Sequence, residues 1–437
     1  MTDAAHDTIV AGPSSSPGRN ADRLRAGLKA RYARENRFKL YGMIAIAIAV
    51  GFLALLLARI VEQGHTAFYA HEITLPVYMD PARIDPAYPQ GTNFEQLVAE
   101  QQLARFGITD DAQGTQSAAM RALFSSELRF KAADLIRENP ALIGQTVPIA
   151  APIADEPDLY YKDQISIQTP ADQRRLSDQQ IAWLDRLEAE GAVRSHFNTA
   201  LFTNGDSTNP EQAGVLGAVV GSALMLLVTA LIAIPIGVGA AVYLEEFSPR
   251  NRLTDLIEVN INNLAAVPSI VYGLLGLALF INWMQLPRSS PLVGGLVLAL
   301  MALPTIIIAT RSSLKAVPPS IREAALAMGA SRTQTVFQHV LPLAMPGVMT
   351  GTIISMAHAL GETAPLLLIG MISFVPGIPG SITEPTGALP SLIYIWENAS
   401  ERAFYERTAA AIMVLLAFMI IMNAAAILLR RRFERRW

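Results

Sequence analysis

The sequence contains no cysteine, which excludes a disulfide framework and any metal site built on thiolates. Charged residues are also scarce, at 16% of 437 residues, whereas 51% of the residues are hydrophobic. This balance is typical of integral membrane proteins and not of soluble globular domains. The net charge of −3 says nothing about partners, because the charges are distributed unevenly along the chain.

Several catalytic motifs are missing as well. The sequence has no G-x-x-x-x-G-K-[S/T] loop, so the chain is not expected to bind ATP by itself. It has neither an H-E-x-x-H zinc helix nor a G-x-S-x-G nucleophile elbow. We therefore predict no covalent catalysis, no catalytic residue, no metal and no cofactor.

Six apolar segments are long enough to cross a bilayer as helices. They are residues 41–58, 213–244, 253–283, 292–310, 347–371 and 409–429. The first is predicted to be a retained signal anchor, because no small-residue cleavage site follows it. The predicted fold class is an all-α polytopic membrane protein with six transmembrane helices and an α+β extracytoplasmic domain inserted between helices 1 and 2.

Composition shifts predict the boundaries of this organisation. The predicted parts are a disordered and basic N-terminal arm (1–40), the first span (41–59), a domain (60–210), a membrane core with spans 2–6 (211–430) that includes a polar loop (312–346), and a basic tail (431–437). Within the arm, residues 1–18 are predicted to be disordered and residues 19–39 helix-prone. The basic run of the arm is expected to face anionic membrane lipid, and no nucleic-acid partner is predicted.

Residues 60–210 contain no run long enough to span a membrane. The predicted elements are a strand at Glu72–Met79 and helices at Asn93–Phe106, Gln116–Arg137 and Ser177–Phe202. Pro76 cannot donate a hydrogen bond to a sheet, which predicts an edge strand. Candidate buried residues are Leu123, Leu128, Phe130, Leu135, Ile181, Leu184 and Leu187. The acidic cluster of Asp155, Glu156 and Asp158 is interpreted as a solvated loop in preference to a metal or ligand site.

Basic residues near the ends of the spans predict the orientation. With six spans, the N-terminal arm, the loop at Arg250, the loop from Arg311 to Arg332 and the C-terminal tail all fall on one side. We predict that this side is the cytoplasm. Both termini are then cytoplasmic, and the 60–210 domain lies outside.

The polar loop at 312–346 has the pattern of two short helices around a glycine turn. The strong helix formers of Arg322–Ala327 run into Gly329, and glycine readily ends a helix in a left-handed turn. Another amphipathic run, Thr333–Val340, is predicted to stop at Leu341-Pro342. Composition alone leaves two interpretations open: an ordinary connector, or a small-residue surface that another protein approaches closely.

The spacing in this loop resembles the cytoplasmic EAA loop of ABC importer permeases. Leu341 and Pro342 follow Gly329 by twelve and thirteen residues. The resemblance implies a coupling helix that docks onto an ATP-hydrolysing subunit, and the matching positions are Glu323, Ala324, Ala325, Gly329, Leu341 and Pro342. His339 stands where the family usually has isoleucine.

Ionisable residues inside predicted spans are candidate functional residues, because burying them in hydrocarbon is unfavourable. His358 and Glu362 are four residues apart and are predicted to share one helix face, with Pro365 loosening the helix beyond them. The pair either holds the bundle together or acts in translocation and gating. Asn260, Asn262 and Asn263 form a polar patch that either hydrogen-bonds between helices or contacts substrate.

Two further segments narrow the resemblance. Val267–Leu274 (VPSIVYGL) and Gly361–Leu367 (GETAPLL) are similar to the phosphate ABC importer permeases of the Pst system, and the GETAPLL segment resembles the PstA-type subunit in particular. The similarity covers about 211–430. It implies a bacterial inner membrane location, alternating access, and as partners a homologous PstC-type permease, two ATP-binding subunits and a periplasmic phosphate-binding protein. His358 stands where this family often has arginine.

The predicted function is therefore the permease subunit of an ATP-driven importer, with phosphate as the substrate that the resemblance implies. One alternative is a permease for another oxyanion, such as molybdate or sulfate. Another is a membrane-anchored sensor or assembly protein that works through the 60–210 domain.

Overall fold

The computed structural model describes residues 17–85, 87–108, 114–166, 170, 174–372 and 374–433. The predicted disorder of residues 1–16 and the basic tail at 434–437 lie outside these ranges. Helix α1 (Pro17–Gly64) runs without interruption through the arm and the first predicted span. The helix-prone character predicted for 19–39 is confirmed, and disorder is wrong from Pro17 onwards.

The chain forms two compact units, residues 1–60 and 61–437. The described part of the first unit is α1 up to Ile60. Its apolar side chains between Tyr41 and Leu57 are exposed, and the segment is long and apolar enough to cross a membrane. All other elements belong to the second unit.

Residues 61–215 of the second unit form what we call the sheet-containing part. Its strands are β1 (Tyr69–Tyr78), β2 (Thr146–Pro152) and β3 (Val193–Phe197). Its helices are α2 (Phe94–Arg105), α3 (Thr115–Arg121), α4 (Glu127–Glu138), α5 (Asp155–Tyr161), α6 (Asp178–Ala189) and α7 (Ala200–Thr203). The sheet is antiparallel in the order β2-β1-β3. Alternate residues of β1, from Ile73 through Leu75 to Val77, are buried in the core.

The predicted strand is central in the sheet, so its assignment to an edge is wrong. Pro76 is tolerated because it lies opposite Pro148 of β2, where neither residue has to donate to the other. On the other side, β3 pairs only with Tyr69–Ile73 and has ended before Pro76 is reached. The missing N–H of Pro76 therefore leaves no ladder bond unmade.

Two of the three predicted helices in this part are wrong in extent. The predicted helix at Gln116–Arg137 is split into α3 and α4. The predicted helix at Ser177–Phe202 ends with α6, because Gly191 takes φ +71°, and the chain continues as β3. Of the candidate buried residues, Leu123, Leu128, Ile181, Leu184 and Leu187 are buried, Leu135 is partly buried, and Phe130 is exposed.

The membrane part follows from residue 216. Its helices are α8 (Leu216–Val242), α9 (Arg252–Ala265), α10 (Ser269–Gly276), α11 (Pro291–Lys315), α12 (Pro319–Ala327), α13 (Arg332–Gln334), α14 (Leu341–Gly361), α15 (Ala364–Leu368), α16 (Leu389–Glu397) and α17 (Ala403–Phe433). π-Helical turns extend α8 over Tyr243–Phe247 and α10 over Leu277–Trp283, and join α13 to α14 over Thr335–Val340. Helix α11 packs between α8 and α14.

Within the described residues, five helices are long and apolar enough to cross a membrane, and one bent pair is a sixth candidate. The bent pair is Arg252–Ala265 with Ser269–Trp283, which meet at 100°. The predicted third span (253–283) therefore consists of two helices with a sharp bend between them. Pro268, with ψ 139°, is extended and lacks an N–H, so the helix cannot pass through it.

The fifth predicted span differs at both ends. The run Thr333–Val340 does not stop at Leu341-Pro342, because its π-helical turns lead directly into α14. A π-helical turn shifts the hydrogen-bond ladder, so the helix can continue although Pro342 has no N–H to donate. At the other end α14 stops at Gly361, and Glu362 is extended before α15 begins.

Candidate functional site

The loop between α11 and α14 folds as a helix, a glycine turn and another helix. Helix α12 ends at Ala327, and Gly329 takes φ +86°, which reverses the chain. A capping box at Ser331 then starts α13, since its hydroxyl accepts from the Gln334 N–H while the Gln334 side chain binds the Ser331 N–H. This helix-turn-helix arrangement confirms the local structure that the sequence predicts.

The residues of the predicted coupling surface differ in exposure. Glu323 and Ala324 are exposed on α12, whereas Ala325 is buried. Leu341 and Pro342 are half-buried at the start of α14. Ala325 therefore packs α12 onto the bundle, and the side chains on either side of it remain available to a partner.

Three exposed apolar side chains accompany Glu323, and sequence reasoning missed them as surface residues. Leu326 and Met328 project from the end of α12, and Phe337 projects from the π-helical turns. Met328 is 81% exposed, which is unfavourable in water and typical of a surface that a partner covers. The available signal was that apolar residues occur beside a glycine turn, where the chain has no core to fill.

The structure places the predicted pair side by side. His358 Nε2 lies 3.3 Å from Glu362 Oε1, although Glu362 has left the helix and the two residues do not share a continuous helix face. His358 is mostly exposed, whereas Glu362 is largely covered.

Asn262 and Asn263 lie exposed near the end of α9, before the bend at Pro268. The neighbouring Asn260 donates its side-chain N–H to the Leu256 carbonyl of its own helix at 2.8 Å. In the described part of the chain no hydrogen bond connects Asn262 or Asn263 to the pair at the end of α14. Their predicted contact with substrate or with another helix stays a prediction.

Apolar cavities lie between the membrane helices. One of about 510 Å³ lies between α8 and α14, and its wall includes Val238, Phe337 and Met345. Another of about 470 Å³ lies between α8, α14 and α17. Both walls are overwhelmingly apolar, and an oxyanion needs hydrogen-bond donors or cations. These cavities do not offer a phosphate site in this conformation.

The predicted acidic cluster is a buried helix and not a solvated loop. It forms α5, on which Glu156 and Asp158 are buried. Asp158 Oδ2 lies 2.6 Å from Lys162 Nζ, and Asp158 Oδ1 lies 2.9 Å from His71 Nδ1. Lys162 Nζ also lies 2.6 Å from Glu406 Oε1 on α17. The cluster therefore connects the sheet-containing part to the last helix.

The first turn of α17 binds several other segments as well. Glu406 Oε2 accepts from the Thr66 hydroxyl at 2.7 Å and from the Gln164 amide at 2.8 Å. Arg407 donates to the Ala213 carbonyl at 2.8 Å. Thr66 precedes β1 and Ala213 precedes α8, so this one turn holds both ends of the sheet-containing part.

Comparison with known proteins gives two family matches. Residues 233–437 match the family described as binding-protein-dependent transport system inner membrane component. Residues 25–171 match a family described as a domain of unknown function (DUF3333).

Several curated proteins are similar to the membrane part. A probable ABC transporter permease protein, YqgI of Bacillus subtilis (strain 168), is 33% identical over 46% of this chain and 71% of its own length. The phosphate transport system permease protein PstA 1 of Mycobacterium tuberculosis (strain ATCC 25618 / H37Rv) is 34% identical over 51% of this chain and 71% of its own length. PstA of Pasteurella multocida (strain Pm70) is 30% identical over 49% of this chain and 75% of its own length.

Solved structures are similar at lower identity. An inward-facing form of the MetNI methionine ABC transporter has a chain that is 20% identical, with a TM-score of 0.42 over 50% of this chain and 95% of that chain. A bacterial ABC transporter involved in the import of the acidic polysaccharide alginate has one that is 14% identical, with a TM-score of 0.39 over 50% and 79%.

Proposed function

The chain belongs to the family of binding-protein-dependent transport system inner membrane components, and from that premise we propose that it carries inorganic phosphate across the bacterial inner membrane. It is a permease subunit of an ABC importer. Relatives named as phosphate transport system permeases, 30–34% identical, support phosphate as the substrate. The observation that carries the coupling role is the helix, glycine turn and helix at Pro319–Gln334, with exposed apolar side chains at its tip.

The mechanism we propose is alternating access driven from the coupling loop. Two separate ATP-binding subunits hydrolyse ATP and move α12, and the membrane helices respond as nearly rigid bodies. Glu323, Ala324 and Gly329, with the exposed Leu326 and Met328, form the surface that contacts an ATP-binding subunit. A PstC-type permease completes the pathway, and a periplasmic phosphate-binding protein delivers the anion.

Substrate choice is tested with the assembled importer in vesicles. We expect ATP-dependent uptake of radiolabelled phosphate that requires the binding protein and that excess molybdate or sulfate does not suppress. ATP-dependent uptake of molybdate or sulfate in place of phosphate would assign the permease to the other oxyanion.

The topology that we propose has six spans, with the bent pair α9 and α10 as one of them. Both termini and α12 are cytoplasmic, and the sheet-containing part is an inserted domain outside the membrane. The predicted domains at 41–59, 60–210, 211–430 and 312–346 follow this map. The segregation of basic residues along the chain supports it.

Cysteine labelling tests this map, since the chain has no cysteine of its own. The cysteines have to be introduced at exposed positions of the sheet-containing part and of α12. Met120 is unsuitable because it is fully buried, and Gly205 is unsuitable because a Cβ there would clash with the Pro376 carbonyl oxygen. Phe130 and Leu326 are both exposed. We expect a cysteine at 130 to react with an impermeant maleimide from outside intact cells, and one at 326 to react only after permeabilisation. The reverse pattern would overturn the orientation.

The pair His358 and Glu362 gives a further prediction. Because the substrate is an anion, a bare carboxylate on its path would repel it, so Glu362 is expected to hold His358 in place and not to bind phosphate. Glu362→Gln and His358→Ala should each lower the uptake rate. In the double variant the two losses should overlap by about 0.5–3 kcal/mol, as for residues in direct contact.

The measurement is ATP-dependent uptake by reconstituted complexes carrying each single change and both together. Glu384→Gln is the matched control, since its side chain lies in an exposed loop and accepts from the nearby Gly380 N–H. Additive effects would remove the proposed pairing. Unchanged uptake in Glu362→Gln would remove Glu362 from the pathway altogether.

One observation keeps the sensor or assembly alternative in view. The sheet-containing part has a continuous apolar core, to which β1, β2, α2, α4 and α6 contribute and which Ala403 of α17 joins. If this part carried the function alone, deleting it would abolish function while changes at Glu323 and Gly329 were tolerated. We expect instead that changes at Glu323 and Gly329 impair uptake.

A further inference from the structure

Arg322, the residue before the Glu-Ala-Ala sequence, does not face outward with its neighbours. Its Nη2 lies 2.6 Å from Glu246 Oε1. The same guanidinium donates to the Val317 carbonyl at 2.8 Å and to the Leu314 carbonyl at 2.9 Å. One side chain therefore connects α12 to the end of α8 and to the last turn of α11.

Glu246 requires such a partner. Its side chain is only 9% exposed, and an unpaired carboxylate at that depth is strongly unfavourable. The planar guanidinium satisfies the carboxylate and two helix-end carbonyls at once, which an ammonium group cannot match in geometry. The contact is therefore specific for arginine.

The adjacent Glu245 forms a separate ion network. It lies 3.4 Å from Arg311 Nε, and Arg311 Nη2 lies 2.5 Å from Glu258 Oε1 on α9. Lys315 Nζ approaches Glu245 at 3.6 Å. These pairs hold α8, α9 and α11 together at the end of the bundle that carries α12. Movement delivered at Glu246 therefore reaches a braced group of helices.

The covalent connections of α12 do not supply this link. Residues 316–318 join α12 to α11, so α11 follows α12 through the backbone. Helix α8 has no such connection, because α9 and α10 lie between it and α11 in the chain. An apolar cluster that includes Val242, Val336 and Val340 also lies at this end of the bundle. Apolar contacts can slide, whereas a multiply hydrogen-bonded arginine fixes the distance between the elements.

We propose that Arg322 is the positioning residue that makes α8 move with the coupling loop. This inference rests on the proposed importer function. When an ATP-binding subunit displaces α12, Arg322 carries the displacement to Glu246 and thereby to α8, which lines both apolar cavities. Without Arg322 the loop still docks and ATP is still hydrolysed, but α8 lags behind.

The experiment uses the complete importer and the variants Arg322→Gln, Arg322→Lys, Glu246→Gln and the exchange Arg322→Glu with Glu246→Arg. We expect Arg322→Gln and Glu246→Gln to assemble and hydrolyse ATP normally, while uptake per ATP falls by about tenfold, the effect of losing one charge-assisted contact. Uptake per ATP in Arg322→Lys should lie between the values of the parent and of Arg322→Gln. The exchange of the two residues should recover part of the coupling. Arg252→Gln, an exposed arginine at the start of α9, is the matched control and should behave as wild type.

A distance measurement separates this inference from the question of substrate. Spin labels at Ser320 on α12 and Ile236 on α8, both exposed and outside the proposed contact surface, report whether the two helices move together when ATP binds. We expect a constant distance in the parent chain and an ATP-dependent change in Arg322→Gln. A constant distance in both, or wild-type uptake per ATP in Arg322→Gln, would overturn the proposal. Failure of the parent complex to take up any oxyanion would instead overturn the proposed function, and the spin-label result would stand.

Discussion

Replacing Gly329 with proline is expected to abolish phosphate uptake while the protein still inserts into the membrane and binds its partners. Gly329 takes φ +86°, whereas proline is fixed near −65°. Proline also removes the N–H that Gly329 donates to the Leu326 carbonyl at 2.9 Å. The strain is about 3 kcal/mol or more, and since 1.4 kcal/mol is about a factor of ten, uptake per ATP should fall by about a hundredfold.

Gly329→Asn is the control for that experiment. No atom would lie within 4 Å of a Cβ at this position, so the side chain has room and only the backbone angle is under test. Asparagine tolerates positive φ far better than other non-glycine residues, so it should retain most of the uptake. Uptake and ATP hydrolysis would be measured on the same reconstituted complexes. Normal uptake in Gly329→Pro, with normal binding of the ATP-binding subunits, would contradict the coupling role of the turn.

The charge reversal Glu323→Arg should uncouple ATP hydrolysis from uptake for a different reason. Glu323 is exposed on α12 beside the apolar Leu326, so the change leaves the fold of this chain intact. It reverses the charge that α12 presents to the proposed partner, and a surface complementary to a carboxylate does not match an arginine. We expect weaker binding of the ATP-binding subunit, measured by co-purification, and a salt dependence different from that of the parent. Unchanged binding would place the contact surface elsewhere.

The coupling loop was predictable because its structure is decided locally. Helix propensity, the glycine and the serine cap of α13 all act within a few residues, and the structure has the turn at Gly329 where the sequence predicts it. The same local reasoning failed at Leu341-Pro342, because proline is compatible with a helix that has already shifted its hydrogen-bond ladder.

Long apolar segments were also predictable, but which of their prolines break the helix was not. Hydropathy reports that a segment is apolar enough to lie in lipid, and it does not report whether the helix inside it continues. Pro235 and Pro304 lie inside continuous helices, whereas Pro268 marks a 100° bend. The difference depends on what surrounds each freed carbonyl, and a single sequence does not reveal that.

The acidic cluster was misinterpreted because its partners are remote in the chain. Asp158 is held by His71, 87 residues earlier, and Lys162 is held by Glu406, 244 residues later. Three neighbouring carboxylates indicate a solvent-exposed loop only when no cation from elsewhere in the chain pairs with them. The buried-face residues Ile181, Leu184 and Leu187 were correct because helical periodicity alone identifies them.

The last prediction concerns this joint between the sheet-containing part and α17. The Lys162 side chain is 4% exposed, and it lies between Asp158 and Glu406, which are 9% and 2% exposed. Lys162→Met keeps the length of the side chain but leaves two buried carboxylates without their shared cation. Removing one partner of a buried ion pair typically lowers stability by about 3–5 kcal/mol. We therefore expect a clearly lower Tm for the purified protein and release of the sheet-containing part to protease.

Lys131→Met is the matched control. Lys131 also pairs with a carboxylate four residues earlier, Glu127 at 3.4 Å, but that pair is partly exposed. Exposed pairs contribute about 0–1 kcal/mol, so the control should leave Tm nearly unchanged. Equal Tm values for the Lys162→Met variant and the parent would show that the buried ions do not hold the joint.

The pH dependence of the two proteins tests the same joint from the other direction. Burial alone would raise the pKa of Asp158, but the hydrogen bond with His71 and the charge of Lys162 outweigh burial, and the pKa lies below its ordinary value. A carboxyl with a lowered pKa stabilises the fold above its unfolded pKa, and this contribution is lost as the pH falls through the folded pKa. The parent should therefore lose Tm on acidification below the ordinary aspartate range. In Lys162→Met, protonating Asp158 removes a buried charge that has lost one of its two partners and keeps only His71, so the Tm deficit relative to the parent should shrink as the pH falls. A deficit that stays constant with pH would assign the loss to packing of the side chain and not to its charge.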